Sequence, residues 1–152
     1  MTDLIRIANC SGYYGDKLSA AKEMVEGGPI DVLTGDYLAE LTMTILFNQR
    51  MQRGEDKGYV GTFLKQIKEI AHTCKSKNIK VVTNAGGLNP QSMANEIEKI
   101  LAELKIDLKV AYITGDDLMP RMDDLIQLNE PFNNIFLLYT SDAADDSGCV
   151  DL

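Results

Sequence analysis

The chain has no tryptophan, a single histidine (His72) and only three cysteines, at positions 10, 74 and 149. One imidazole cannot furnish the paired histidines of a zinc-protease helix, and no H-E-x-x-H occurs. The cysteines form no C-x-x-C pair, which excludes a thiolate metal knot and a disulfide framework and points to a reduced, cytoplasmic compartment. No apolar run approaches the length of a membrane span. Met1-Thr2-Asp3 lacks the basic start of a secretory leader. Positive charge is also scarce. Lys and Arg number 15 against 23 acids, a net charge of −8, which argues against a phosphate-backbone surface and hence against nucleic acid as a partner. No G-x-G-x-x-G, Walker loop or G-x-S-x-G is found, which weakens dinucleotide-binding, P-loop and α/β-hydrolase readings.

What is present is the composition of an ordinary globular domain. The chain has 152 residues, 45% hydrophobic and 25% charged, enough to bury a core within one domain. Short apolar runs alternate with helical patterns, the signature of β-α-β units. Strands are predicted at Leu4–Ala8, Ile30–Leu33, Ile79–Val82 and Leu108–Ile113. A helix is predicted over Asp16–Glu26 with Asp16 as its cap, and another over Tyr37–Met51, apolar nearly all round and therefore buried. Val60, Phe63, Leu64, Ile67, Ile70, Ala71 and Cys74 make one helical stripe. Asn89 followed by Pro90 starts the next helix, and a last one ends near Leu128. The expected fold is α/β: a mainly parallel sheet flanked by helices on both faces, a Rossmann-like three-layer arrangement incomplete at its C-terminus.

Residues 1–136 are expected to form this α/β portion. Asn134–Leu138 could begin a fifth strand. Residues 137–152 differ from the rest, with four Asp and no Lys or Arg. That segment resembles a translated sequencing-adapter read-through and is expected to be non-native; an ordinary acidic tail is the alternative. Without it the chain would keep 19 acids against 15 bases.

The polar, glycine-containing turns carry the functional expectation. Asn9-Cys10-Ser11-Gly12, Thr34-Gly35-Asp36, Thr83-Asn84-Ala85-Gly86-Gly87 and Thr114-Gly115-Asp116-Asp117 each follow a predicted strand. In a parallel sheet these ends share one edge, where open α/β sheets bind ligands. Glycine lets backbone approach a ligand, and helix N-termini offer free N–H groups to an anion. Asn9, Cys10, Ser11, Gly12, Thr34, Gly35, Asn84, Gly86, Gly87, Asn89, Thr114 and Gly115 are therefore candidate contacts for a small-molecule substrate. Asp36, Glu40 and Asp116 are candidate acid–base residues. The structural alternatives are helix capping by the Thr-Gly-Asp triplets and a favourable helix dipole for Glu40. Asp36, Glu40, Asp116 and Asp117 could also hold a divalent cation such as Mg²⁺ or Mn²⁺, although no local metal motif occurs. Cys10 reads as a nucleophile or, more simply, as a small buried residue. Tyr13, Tyr14 and Tyr37 flank the turns and could line a pocket.

At these same turns the chain resembles a known family. I-R-I-A-N-C-S-G-Y-Y-G-D-K, G-G-P-I-D-V-L-T-G-D-Y-L-A-E-L-T-M and V-T-N-A-G-G-L-N-P are similar to the N-terminal domain of acyclic terpene utilisation (AtuA-type) proteins. The resemblance spans about Ile5 to Leu118, weakens after Pro120 and does not extend into the tail. Family members are longer. The resemblance implies a part in the breakdown of acyclic terpenes such as citronellol and geraniol through acyl-CoA intermediates. It suggests a lyase acting on a branched hydroxyglutaryl-CoA-type thioester, and it assigns no catalytic residues. A non-catalytic binding module or subunit of a larger assembly, including a homo-oligomer, is the alternative.

Overall fold

The computed structural model describes residues 4–127. The predicted fifth strand and the segment 137–152, expected to be non-native, lie outside the described residues. Contacts divide the chain into two compact units, Met1–Thr114 and Gly115–Leu152.

The first unit is an α/β fold around a three-stranded parallel sheet. Strands β1 (Ile7–Asn9), β2 (Val32–Gly35) and β3 (Lys80–Thr83) lie side by side in sequence order. Ala8 is level with Leu33, and Leu33 with Val81. Helix α1 (Ala20–Gly27) connects β1 to β2, α2 (Glu40–Arg53) and α3 (Gly61–Lys77) connect β2 to β3, and α4 (Pro90–Glu103) follows β3.

Alternation along the strands sorts side chains to two faces. Ala8, Leu33 and Val81 join a cluster with Val25 of α1, Leu46 of α2, Phe63 and Ile70 of α3 and Met93 and Ile97 of α4. Leu33 is 0% exposed. Ile7 and Val82 point the other way and are 65% and 59% exposed. The expectation of helices on both faces thus holds for one face among the described residues. Strand order explains this. The sheet advances in one direction from β1 to β3, so successive right-handed crossovers land on the same side.

Four further details differ from the sequence-based expectations. The strands begin one to three residues later than their apolar runs, so Asn9, Thr34, Gly35 and Thr83 are ladder residues rather than turns. Leu108–Ile113 pairs with no strand among the described residues, although Leu108 and Val110 pack against the core. Only its first half packs on the core, while Tyr112 and Ile113 are exposed. Helix α2 starts at Glu40, and Leu41, Phe47 and Met51 are exposed, so it is not buried all round. Asp16 does not cap α1, whose N-cap is Ser19; its carboxylate accepts instead from the Gly12 and Lys17 N–H groups at 2.9 and 2.7 Å.

Asn89 does cap α4, with Oδ1 accepting from Ser92 N at 3.0 Å and Pro90 at the first helical position. The second unit holds a 3-10 turn, Met119–Arg121, and a short helix, α5 (Met122–Gln127). No helix among the described residues is long and apolar enough to cross a membrane.

Candidate functional site

The carboxyl ends of the three strands meet in one hydrogen-bonded polar network. Cys10 N donates to Thr34 O at 2.9 Å and Asp36 N to Ser11 O at 3.0 Å, which carries the β1–β2 pairing past the strands. Thr34 Oγ1 lies 3.2 Å from Ala8 O and 3.3 Å from Asn9 Oδ1, donating between them. Asn9 Nδ2 donates to Ser11 O at 2.9 Å. Across the β2–β3 boundary, Asn84 Nδ2 donates to Asp36 Oδ1 at 2.6 Å, and Tyr37 N donates to Asn84 Oδ1 at 2.8 Å. Thr83 Oγ1 donates to Gly35 O at 2.9 Å.

The network has a wet side and a dry side. Asn9, Asp36 and Asn84 are exposed, and Thr34 is half-buried. Beneath them Cys10, Ser11, Gly35 and Tyr37 are buried. The Tyr37 hydroxyl donates to Gln66 Oε1 at 2.6 Å, and Gln66 Nε2 donates to Leu18 O at 3.3 Å. The Cys10 sulfur lies 3.9 Å from the Tyr37 oxygen. Burial pushes both the Cys10 thiol and the Tyr37 phenol up from their ordinary values. Cys10 is therefore a neutral packing residue near neutral pH, not an activated thiolate. Gly35 has no room for a side chain: a Cβ there would sit 2.7 Å from Tyr37 Cε2 and 3.3 Å from Cys10 Sγ.

The remaining candidates fall into separate places. Gly86 and Gly87 are packing positions. A Cβ on Gly86 would meet Pro90 Cβ at 2.7 Å, and Gly87, at φ +52°, lies against Leu46 and the Gly58 carbonyl. Asn89 is committed to its cap and to Glu55 O, to which Nδ2 donates at 2.8 Å. Gly12 is exposed at the turn closed by Asp16. Glu40 is exposed at the first position of α2, one turn beyond Asp36. Thr114 ends the first unit. Gly115, Asp116 and Asp117 open the second, where Asp117 Oδ1 accepts from Met119 N at 3.0 Å.

Among the described residues no group of three or more His, Cys, Asp or Glu is arranged to hold a metal ion. Tyr13 is exposed, Tyr14 half-buried, and His72 exposed on α3. Gln66, a buried amide beneath the site, is not among the residues expected from the sequence. Its spacing held the clue, because position 66 falls on the stripe of Phe63, Ile67 and Ile70.

The arrangement offers two primary amides, a hydroxyl and a carboxylate on a hydrogen-bonded strand-end platform. Amides can donate to a carbonyl or an oxyanion, and the carboxylate can accept a proton. No curated protein and no solved structure matches the chain. A family model described as acyclic terpene utilisation family protein AtuA matches residues 5–146, beyond Leu118 and into the segment 137–152, so the family match reaches past the limit expected from the motifs. That match covers most of the sequence and includes all three strand ends, and it places this chain in the acyclic terpene utilisation family.

Proposed function

We propose that the strand-end platform binds the carbonyl end of a branched acyl thioester during acyclic terpene breakdown, as part of a carbon–carbon lyase. One observation carries this reading. Asn9, Thr34, Asp36 and Asn84 come from three strands far apart in sequence and join in one network at the sheet edge where α/β folds bind ligands.

The chemistry would be a retro-aldol cleavage of a 3-hydroxyacyl thioester. Asp36 accepts the hydroxyl proton, the oxygen lone pair forms a new carbonyl, and the adjacent carbon–carbon bond breaks. The released electron pair moves onto the thioester as an enolate, which the Asn9 or Asn84 amide stabilises. Protonation of the enolate carbon, with Glu40 as the candidate acid, completes the step. The test is carbonyl release from a branched 3-hydroxyacyl thioester. Asp36→Asn should lower kcat about 10²-fold or more, the usual worth of a positioned base. Wild-type turnover by that variant would remove Asp36 from the reaction.

A second reading has its own support. Asp36 Oδ1 is already engaged by the Asn84 amide, and Glu40 is exposed at a helix start. Both fit a platform that binds without cleaving, as a module of a larger assembly. Saturable thioester binding with no product formed would favour it.

A further inference from the structure

Apart from the strand-end network, the first unit has a cleft of about 330 Å³ between the β1–α1 loop, α2 and the start of α3. Its walls include Tyr14, Gln49, Arg53, Lys57, Thr62 and Lys65. Every titratable side chain there other than tyrosine is cationic, in a chain whose net charge is −8. Arg53 and Lys65 form no ion pair among the described residues, whereas Lys57 is held by Asp56 at 2.5 Å. Gly61 and Thr62, the first two residues of α3, also line the cleft. No side chain caps this helix, and its first turn carries no acid. A 17-residue helix thus presents an uncapped, partly positive end beside three cationic side chains. Tyr14 and Gln49 add neutral polar groups, joined at 3.5 Å from Gln49 Nε2 to the Tyr14 oxygen.

We infer that this cleft is a phosphate-binding subsite. The groups present suit a phosphate ester: two cations without an ion-pair partner among the described residues, and a helix N-terminus where Phe63 N bonds Val60 O at 3.1 Å but no side chain accepts from the Gly61 or Thr62 N–H. The nucleotide end of a coenzyme A thioester is one source of that chemistry, and this source rests on the acyl-thioester reading above. Free inorganic phosphate or diphosphate is the other.

The test is calorimetric titration of the full chain with 3′,5′-ADP, the nucleotide end of coenzyme A, and with inorganic diphosphate. Saturable binding of either is expected. The Arg53→Gln, Lys65→Gln double variant should weaken it at least tenfold, with a correspondingly shallower salt dependence. Gly61→Asp supplies a control for folding. A Cβ on Gly61 meets nothing within 4 Å, and an acid at a helix start favours the helix. That variant should keep or raise the melting temperature while losing phosphate binding. Tighter 3′,5′-ADP than diphosphate assigns the nucleotide source, and the reverse order assigns the free anion. Binding unchanged in both variants, or no saturable binding of either ligand, overturns the subsite. If 3′,5′-ADP binds but acyl-CoA binds no better than coenzyme A, the cleft stands and the thioester reading fails alone.

Discussion

At the scale of single residues, burial decides which polar groups are available for chemistry. Cys10 and Cys74 are both free and buried, and neither is a reactive thiolate near neutral pH. Cys74 is the simpler case, because burial alone pushes its thiol up to about 11. In the unfolded chain a cysteine ionises near pH ~8.5. The folded value is the higher one, so the unfolded state loses its proton first as pH rises. The stability contributed by keeping this thiol neutral is thus complete below about pH 8.5 and is lost as pH climbs to about 11. The loss should be on the order of 3 kcal/mol. Urea denaturation of wild type and Cys74→Ala at pH 7.5 and pH 11 isolates it. The wild type should lose more stability over that interval than the variant. Equal losses would mean that Cys74 is solvated in the native state.

At the scale of elements, helices were more legible in the sequence than strand limits. The apolar stripe from Val60 to Cys74 gave α3 nearly to its ends, because a 3.6-residue period depends on side chains alone. Strand ends were misplaced because Asn9, Thr34 and Thr83 have the composition of turns while their backbones remain in the ladder. The three polar strand ends still share one sheet edge, since that depends only on which end of each strand is polar. The candidate site's internal wiring was not readable. The bond from Tyr37 N to Asn84 spans 47 residues, and no local pattern encodes it. Asn89 is the contrary case, where Asn-Pro announced a helix start and the structure shows the cap. There the same amide also bonds Glu55 O, in the loop between α2 and α3. Asn89→Ala should therefore cost more than the ~1 kcal/mol of an ordinary N-cap, about 1.5–2.5 kcal/mol. Asn89→Asp keeps the cap acceptor but cannot donate to Glu55 O, so it should recover only the capping share. Denaturant melts of the two variants separate the roles; full recovery by Asp would show that the loop bond contributes nothing.

At the scale of the first unit as a whole, strand order matters more than strand number. Because β1, β2 and β3 run in sequence order, their connecting helices share a side, and the hydrophobic core lies on one face of the sheet. The sequence showed β-α-β units but could not show this, since Ile7 and Val82 look as apolar as Leu33. Only the pleat and the strand order separate them. The difference should be large in energy. Leu33→Ala removes a fully buried side chain from the central strand and should cost about 2–5 kcal/mol. Ile7→Thr and Val82→Thr keep a β-branched residue on the exposed face and should each change stability by no more than about 0.5–1 kcal/mol. Urea denaturation of the full chain measures all three. Costs at Ile7 and Val82 comparable to that at Leu33 would mean that a second layer covers the opposite face, and the one-sided core would be wrong. A twofold or greater gap would tie the sheet's asymmetry to its strand order, leaving the strand-end platform supported from one side only.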